Sequence, residues 1–244
     1  MSVEVFFTSG EVDEVEVEDR VTVVIDVIRA TSTMVEALAN GARGIFPTAS
    51  TEEAIKLASS LGRDDTLLCG ERKGLRIEGF DLGNSPREFS REVVEGKQLV
   101  MTTTNGTRAF LVAETAERVL AASFMNLSAI GNELAEETDL AIICGGRQGR
   151  FSLDDALCAG LLVKYLEEVG EGERVVNDAG RVALELAANH LPDEAFLRST
   201  AAGKALGMIG LDEDLNLCGE LDRHALVPEM RERRISVLGA RRTG

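Results

Sequence analysis

Val21-Thr22-Val23-Val24-Ile25-Asp26-Val27-Ile28-Arg29-Ala30-Thr31-Ser32-Thr33 reads as a strand that ends on a carboxylate and opens, past an arginine, into a helix. Its apolar part is a continuous β-branched run without alternation, the mark of a strand buried on both faces of a parallel sheet. The same order of features recurs twice. Leu99-Val100-Met101-Thr102-Thr103-Thr104-Asn105-Gly106-Thr107-Arg108 is one repeat, and Ala141-Ile142-Ile143-Cys144-Gly145-Gly146-Arg147-Gln148-Gly149-Arg150 is the other. A helix N-terminus offers unpaired N–H groups and the positive end of a dipole, so three such junctions, each with an arginine, suit a small, multiply charged anion.

Outward from these junctions the chain alternates. Residues 3–7, 44–49, 66–69, 97–102, 118–121 and 140–144 read as strands, and 34–39, 52–61, 86–94, 107–116, 126–136 and 153–169 as helices. That order predicts an α/β fold with a parallel or mixed sheet flanked by helices. Residues 11–20 read as a loop or exposed edge. Thr31, Ser32 or Thr33 is expected to cap the first long helix, Thr51 the next, and Ser85 the helix that starts at Pro86. The stretch Gly70–Pro86 has no period of either kind and is expected to be an ordered functional loop. Past residue 170 the pattern is helical over 175–189 and 193–209, then a short segment at 222–226 and a last strand at 234–238. The expectation is one compact unit over 1–244, any boundary falling between about 1–170 and 171–244.

The net charge of −16 repels nucleic-acid backbones and anionic lipids, and 4% aromatics with no Trp offers little for base stacking. Neither nucleic acid nor membrane is expected as a partner, and a homodimer is left open. An anionic substrate would need the field reversed locally. Cys69, Cys144, Cys158 and Cys218 form no C-x-x-C pair and only two histidines exist, so a zinc site is not expected. The thiols read as reduced, and the Met-Ser-Val-Glu-Val start has no basic, apolar leader. Both point to a cytoplasmic protein.

Asp26, at the carboxyl end of a buried strand, is placed where open α/β sheets bind ligands. It could ligate Mg²⁺ or attack phosphorus, or else cap the helix or pair with Arg29. Arg29 and Arg108 have the fork that suits phosphate or sulfonate. Gly106 lets the backbone approach an anion closely, with Asn105 and Thr107 as neutral donors. An Asn-Gly turn with a capped helix explains those three residues, but not the unbroken Thr102–Thr104. Gly145–Gly149 resembles a nucleotide-type glycine turn without G-x-G-x-x-G spacing, and Asp154 and Asp155 fall in a first helical turn where acids are favoured in any protein. Glu71 and Arg72 could supply a metal ligand and an anion clamp, or form surface pairs.

Taken together, Asp26-Val-Ile-Arg-Ala-Thr-Ser-Thr33, Gly70-Glu-Arg72, Gly79-Phe-Asp-Leu-Gly-Asn-Ser-Pro86, Thr102-Thr-Thr-Asn-Gly-Thr-Arg108 and Gly149-Arg-Phe-Ser-Leu-Asp-Asp155 resemble the 2-phosphosulfolactate phosphatase family. The resemblance runs in order over about residues 20–165 and on to Pro228. It implies an α/β fold of two interleaved three-layer α/β/α lobes and a Mg²⁺-dependent phosphatase acting on 2-phosphosulfolactate, giving 3-sulfolactate and phosphate. That family serves coenzyme M synthesis in methanogens and also occurs in bacteria that do not make coenzyme M. Two positions depart from its pattern. Gly145-Gly146-Arg147 stands where Ala-Gly-Thr is usual, and Leu-Asp154-Asp155 where Leu-Glu-Asp is usual.

The resemblance implies the following site. Asp26, Glu71 and Asp155 hold Mg²⁺. Asp26, Arg29 and Arg108 are catalytic. Thr31, Ser32, Arg72, Asn105, Gly106, Thr107, Gly146 and Arg147 bind the substrate, a small anion bearing phosphate with sulfonate and carboxylate. Alternatives are a phosphatase of another small organic phosphate, a non-catalytic sulfonate or organophosphate binder on the same scaffold, and a nucleotide-binding enzyme using the Gly145 turn.

Overall fold

The computed structural model describes residues 1–239. The strands are β1 Ser2–Phe6, β2 Val21–Ile25, β3 Gly44–Pro47, β4 Thr66–Arg72, β5 Leu75–Arg76, β6 Gln98–Thr102, β7 Arg118–Ala122, β8 Asp139–Cys144, β9 Val175–Val176, β10 Pro228–Arg231 and β11 Arg234–Val237. The helices are α1 Glu14–Val17, α2 Ala30–Ala39, α3 Thr51–Leu61, α4 Arg91–Val94, α5 Gly106–Val112, α6 Leu127–Glu133, α7 Leu153–Val169, α8 Asp178–Asn189, α9 Glu194–Ser199, α10 Ala201–Met208 and α11 Asp214–Cys218. No helix among the described residues is long and apolar enough to cross a membrane.

All eleven strands join in one mixed sheet, in the order β5-β4-β6-β3-β11-β10-β7-β2-β8-β1-β9. Two parallel sets are visible in it. β7, β2, β8, β1 and β9 form one, and β4, β6 and β3 the other. The hairpin β10–β11 stitches them together, antiparallel to β7 on one side and to β3 on the other. The sets therefore run in opposite senses by topology. Sheet twist of about 20–25° per strand step, accumulated over the five steps from β6 to β2, turns one set against the other by roughly 100–125°. Their carboxyl ends can then face a common cleft.

The core follows from strand alternation. β2 is buried throughout, and its side chains divide between two clusters. Val21, Val23 and Ile25 pack with Leu157, Leu162 and Leu166 of α7 and Ala183 of α8. Val24 packs on the other face with Met34 of α2 and Phe110 of α5, in a cluster that also takes Ile45, Leu99 and Met101 from the second strand set. Helices α2 and α5 thus lie between the two sets. A third cluster sets Ala54 and Ala58 of α3 on Leu68 and Val100. Helix on sheet on helix is the three-layer α/β/α arrangement expected.

Several local expectations are corrected. Thr31, Ser32 and Thr33 do not cap α2 but lie inside it, where they bond back to earlier or distant carbonyls. Ser50, rather than Thr51, caps α3 by accepting from the Glu53 N–H (3.1 Å). The helix expected over 86–94 is a 3-10 turn at Pro86–Glu88 followed by the short α4, and Ser85 makes no cap bond because its hydroxyl is used elsewhere. Residues 11–20 contain α1.

Ile235 is fully buried and is the β11 residue paired with Ile45 of β3. Ile235→Ala should lower unfolding stability by about 2–4 kcal/mol in urea melts, the usual cost of a buried Ile-to-Ala truncation.

Candidate active site

The carboxyl ends of β2, β4, β6 and β8 open on a cleft of about 340 Å³. Its floor and polar walls include Asp26 and Arg29 after β2, Glu71, Lys73 and Gly74 at the β4–β5 turn, and Asn84. Thr103, Thr104 and Asn105 come from the β6–α5 turn, and Gly146, Arg147, Gln148 and Ser152 from the β8–α7 turn. Ala202, Ala205, Leu206, Met208 and Ile209 close it from α10 and its end. Residues 202, 205, 206 and 209 fall on one face at helical spacing, which gives the cleft one apolar wall.

Asp26 is 5% exposed. Its Oδ1 accepts from the Ala30 N–H (3.2 Å) at the start of α2. Gly106 and Gly145 come so close that a Cβ on either would stand 2.7 Å and 2.9 Å from Asp26 Oδ2. Glycine at both positions is what leaves room around that oxygen. Burial pushes the Asp26 carboxyl up to about 7, against the Ala30 hydrogen bond, and the carboxylates of Asp154 and Glu71 push the same way. Asp154 is raised by burial, with the Ser152 hydroxyl (2.7 Å) pulling it back. Asp155 is raised far more, by burial first and then by Asp154 and Asp26. Three acids thus share one buried space with Arg147 beside them.

Acceptor side chains lace the turns together. Asp155 Oδ1 takes the Val27 N–H (2.8 Å) and Oδ2 the Gly146 N–H (2.9 Å), tying the β2 turn to the β8 turn. Glu71 Oε1 takes the Thr104 N–H and Oε2 the Gly74 N–H, both at 2.7 Å, tying β4 to the β6 turn. Asn105 Oδ1 takes the Gln148 N–H (3.0 Å), tying the β6 turn to the β8 turn. The unbroken threonines now have their account. Thr102 Oγ1 accepts from Arg72, Thr103 and Thr107 bond each other reciprocally across the start of α5, and Thr104 lines the cleft.

Of the residues expected in the site, Asp26, Arg29, Glu71, Asn105, Gly146 and Arg147 line the cleft. Thr31 and Ser32 are fully buried inside α2, where their hydroxyls bond the Asp26 and Val27 carbonyls. Gly106 backs onto Asp26, and Thr107 is buried beside it in α5, bonded to Thr103. Arg72 and Arg108 are exposed and do not line the cleft, because successive side chains on β4 face opposite ways and Arg108 lies beyond the first residues of α5. Asp155, 1% exposed with both oxygens engaged by backbone, does not line it either. Among the described residues no group of three or more His, Cys, Asp or Glu is arranged to hold a metal ion.

Arg29 does not pair with Asp26. Its Nη1 bonds Asp214 Oδ2 (2.8 Å) and its Nη2 the Gly74 carbonyl (2.7 Å). Sequence reasoning missed Lys73, Ser152, Asp214 and the α10 wall. Lys73 directly follows Glu71 and Arg72, so its place in the Gly70–Pro86 stretch was the available signal. Ser152 lies within the Gly149–Asp155 motif, which was its signal, and nothing local marks Asp214 or the α10 wall.

A profile of the 2-phosphosulpholactate phosphatase family matches residues 6–233. Similar proteins include one from Symbiobacterium thermophilum, 42% identical over 91% of this chain and 96% of its own length. Another, from Thermotoga petrophila, is 41% identical over 88% of this chain and 90% of its own length. A third, from Clostridium perfringens, is 37% identical over 98% and 97%. All three are named probable 2-phosphosulfolactate phosphatases. With a match over nearly its whole length, the chain belongs to the 2-phosphosulfolactate phosphatase family.

Proposed function

We propose that this protein hydrolyses 2-phosphosulfolactate to 3-sulfolactate and phosphate, with Mg²⁺. The observation that carries the reading is the buried Asp26 carboxylate on the floor of a cleft whose lining includes three cations, Arg29, Lys73 and Arg147. Phosphate, sulfonate and carboxylate on one small molecule match three cations in number. The relatives' names supply the substrate.

The donor set suits Mg²⁺ in one particular way. Mg²⁺ binds through one or two carboxylates, with water and substrate oxygens completing its shell, rather than in an all-protein cage. Asp26 would be one carboxylate, with Glu71, which also lines the cleft, as the second. Asp155 fits this less well than expected, since it is 1% exposed and, unlike Glu71, does not line the cleft. When bound, the cation would polarise a phosphoryl oxygen and offset charge in the transition state. Arg29, fixed on two sides, orients the phosphoryl group. Lys73 and Arg147 hold the other acid groups, and the apolar α10 wall keeps water from the back of the ester.

A panel of phosphorylated hydroxy acids, assayed for phosphate with and without Mg²⁺, tests the reading. Release from 2-phosphosulfolactate that requires Mg²⁺ is expected, with Asp26→Asn slower by about a thousandfold or more, as for loss of a key group. Binding without turnover of any ester, or Asp26→Asn within about tenfold of wild type, contradicts it.

The raised carboxyl gives a second test, independent of turnover. With its folded pKa about 7 against 3.8 unfolded, neutral Asp26 suits the fold. Its contribution is fully present below pH 3.8 and is lost as pH rises through about 7. In EDTA, Asp26→Asn should therefore gain melting temperature over wild type at pH 8 and show little difference near pH 4. Added Mg²⁺ should raise the wild-type melting temperature at pH 8 and leave Asp26→Asn unmoved. Equal pH profiles for the two proteins contradict the assignment.

A further inference from the structure

The pair between Arg29 and Asp214 joins residues 185 apart in sequence and is almost dry, with side chains 3% and 0% exposed. Arg29 belongs to the cleft. Asp214 does not line it, but lies behind in α11. The Asp214 carboxylate is itself held, because the Ser85 hydroxyl donates to its other oxygen (2.6 Å). Arg29 also donates to the Gly74 carbonyl (2.7 Å), and the Gly74 N–H is bonded to Glu71 (2.7 Å). A guanidinium has five N–H donors in one plane. Two of them, spent on Asp214 and Gly74, fix that plane, and the rest remain for a ligand.

We infer that Asp214, anchored by Ser85, is a positioning residue that sets the Arg29 guanidinium in the orientation in which it meets a phosphoryl group. The inference rests on the phosphatase reading given above. A buried ion pair is weak as a source of stability, since desolvation of both groups offsets most of their attraction. Its use here is geometric. A fork that is free to swing still attracts anions, but it no longer places its donors for the transition state.

A tie that only joined α11 to α2 would move stability alone, so the test reads how kcat and KM divide. Asp214→Asn keeps the shape and loses the charged acceptor. It should lower kcat by about ten- to a hundredfold, the scale of a misplaced orienting group, with KM unchanged or lower. Ser85→Ala, a milder change that leaves the ion pair in place, should lower kcat by about two- to fivefold, only a part of the worth of one hydrogen bond to a charged group because Ser85 acts on Arg29 solely through Asp214. It decides the matter if Asp214→Asn does not fold. In an Arg29→Met background each substitution should add less than about a twofold further loss, because the partner through which it acts is gone.

Inorganic phosphate affinity, measured by calorimetry on the same variants, gives the cycle without turnover. Both Asp214→Asn and Ser85→Ala should bind phosphate more tightly than wild type, because the Arg29 charge is then less matched by its own partner. Arg29→Met should bind it weakly with or without them, and an affinity unchanged from wild type in both single variants speaks against the coupling. Wild-type kcat in folded Asp214→Asn and Ser85→Ala, with only a lower melting temperature, overturns the inference. So do losses that multiply in full with Arg29→Met. A wild-type protein that cleaves no ester defeats the phosphatase reading instead, and the phosphate cycle still decides the coupling of Asp214 to Arg29.

Discussion

A carboxylate buried at the end of a central strand must be neutralised or matched, and the ends of β2, β4, β6 and β8 are arranged around that requirement. Asp26 stands where β2 stops, with Asp154 and Asp155 close by at the start of α7. An isolated ionised group there would be costly, so without a cation the acids tend toward their protonated forms. The raised Asp26 carboxyl is the expression of that cost. A divalent cation, brought in with a phosphorylated ligand, would repay it, and the cleft's Arg29, Lys73 and Arg147 explain how a chain of net charge −16 can hold an anion its surface repels.

The division of labour among the acidic and amide side chains follows from the same constraint. Four turns from two oppositely running strand sets have to be held to within a hydrogen bond of one another. Asp155, Glu71 and Asn105 do this by accepting backbone N–H groups from neighbouring turns. Each such bond satisfies a group that would otherwise be lost from water. The hairpin β10–β11 makes the arrangement topologically necessary, since it reverses the sense of one strand set and leaves twist to bring the carboxyl ends together. Glycine at 106 and 145 then admits the backbone to Asp26.

Much of this was legible locally. β2, β6 and β8 are continuous apolar runs, and α7 has the span its pattern implies, because burial on both sheet faces leaves an unmistakable composition. The junctions that line the cleft were legible for the same reason, since they are where those runs stop. The roles at the junctions were less so. Thr31, Ser32 and Thr33 have the chemistry of caps, but a hydroxyl can equally bond back to a carbonyl within a helix, and tertiary burial chose the second. β10 was missed because Pro-Glu-Met-Arg is short and polar, and its partners are more than a hundred residues away or across a tight turn. Arg72 and Arg108 were read as anion grips from their guanidinium chemistry, their neighbours and the family resemblance. A single step along a strand, or a few residues along a helix, put both outside the cleft. Asp214 and the α10 wall depend on long-range placement, which no local pattern encodes.

The central claim is that the β2 junction, not the exposed arginines around it, is where phosphate and a divalent cation meet. A crystal structure with Mn²⁺ and inorganic phosphate, read by anomalous scattering, tests it directly. The account predicts a manganese peak on Asp26, with phosphate between it and Arg29. Manganese on Asp155 without Asp26, or phosphate seated against Arg72 and Arg108 on the outer surface, would contradict it.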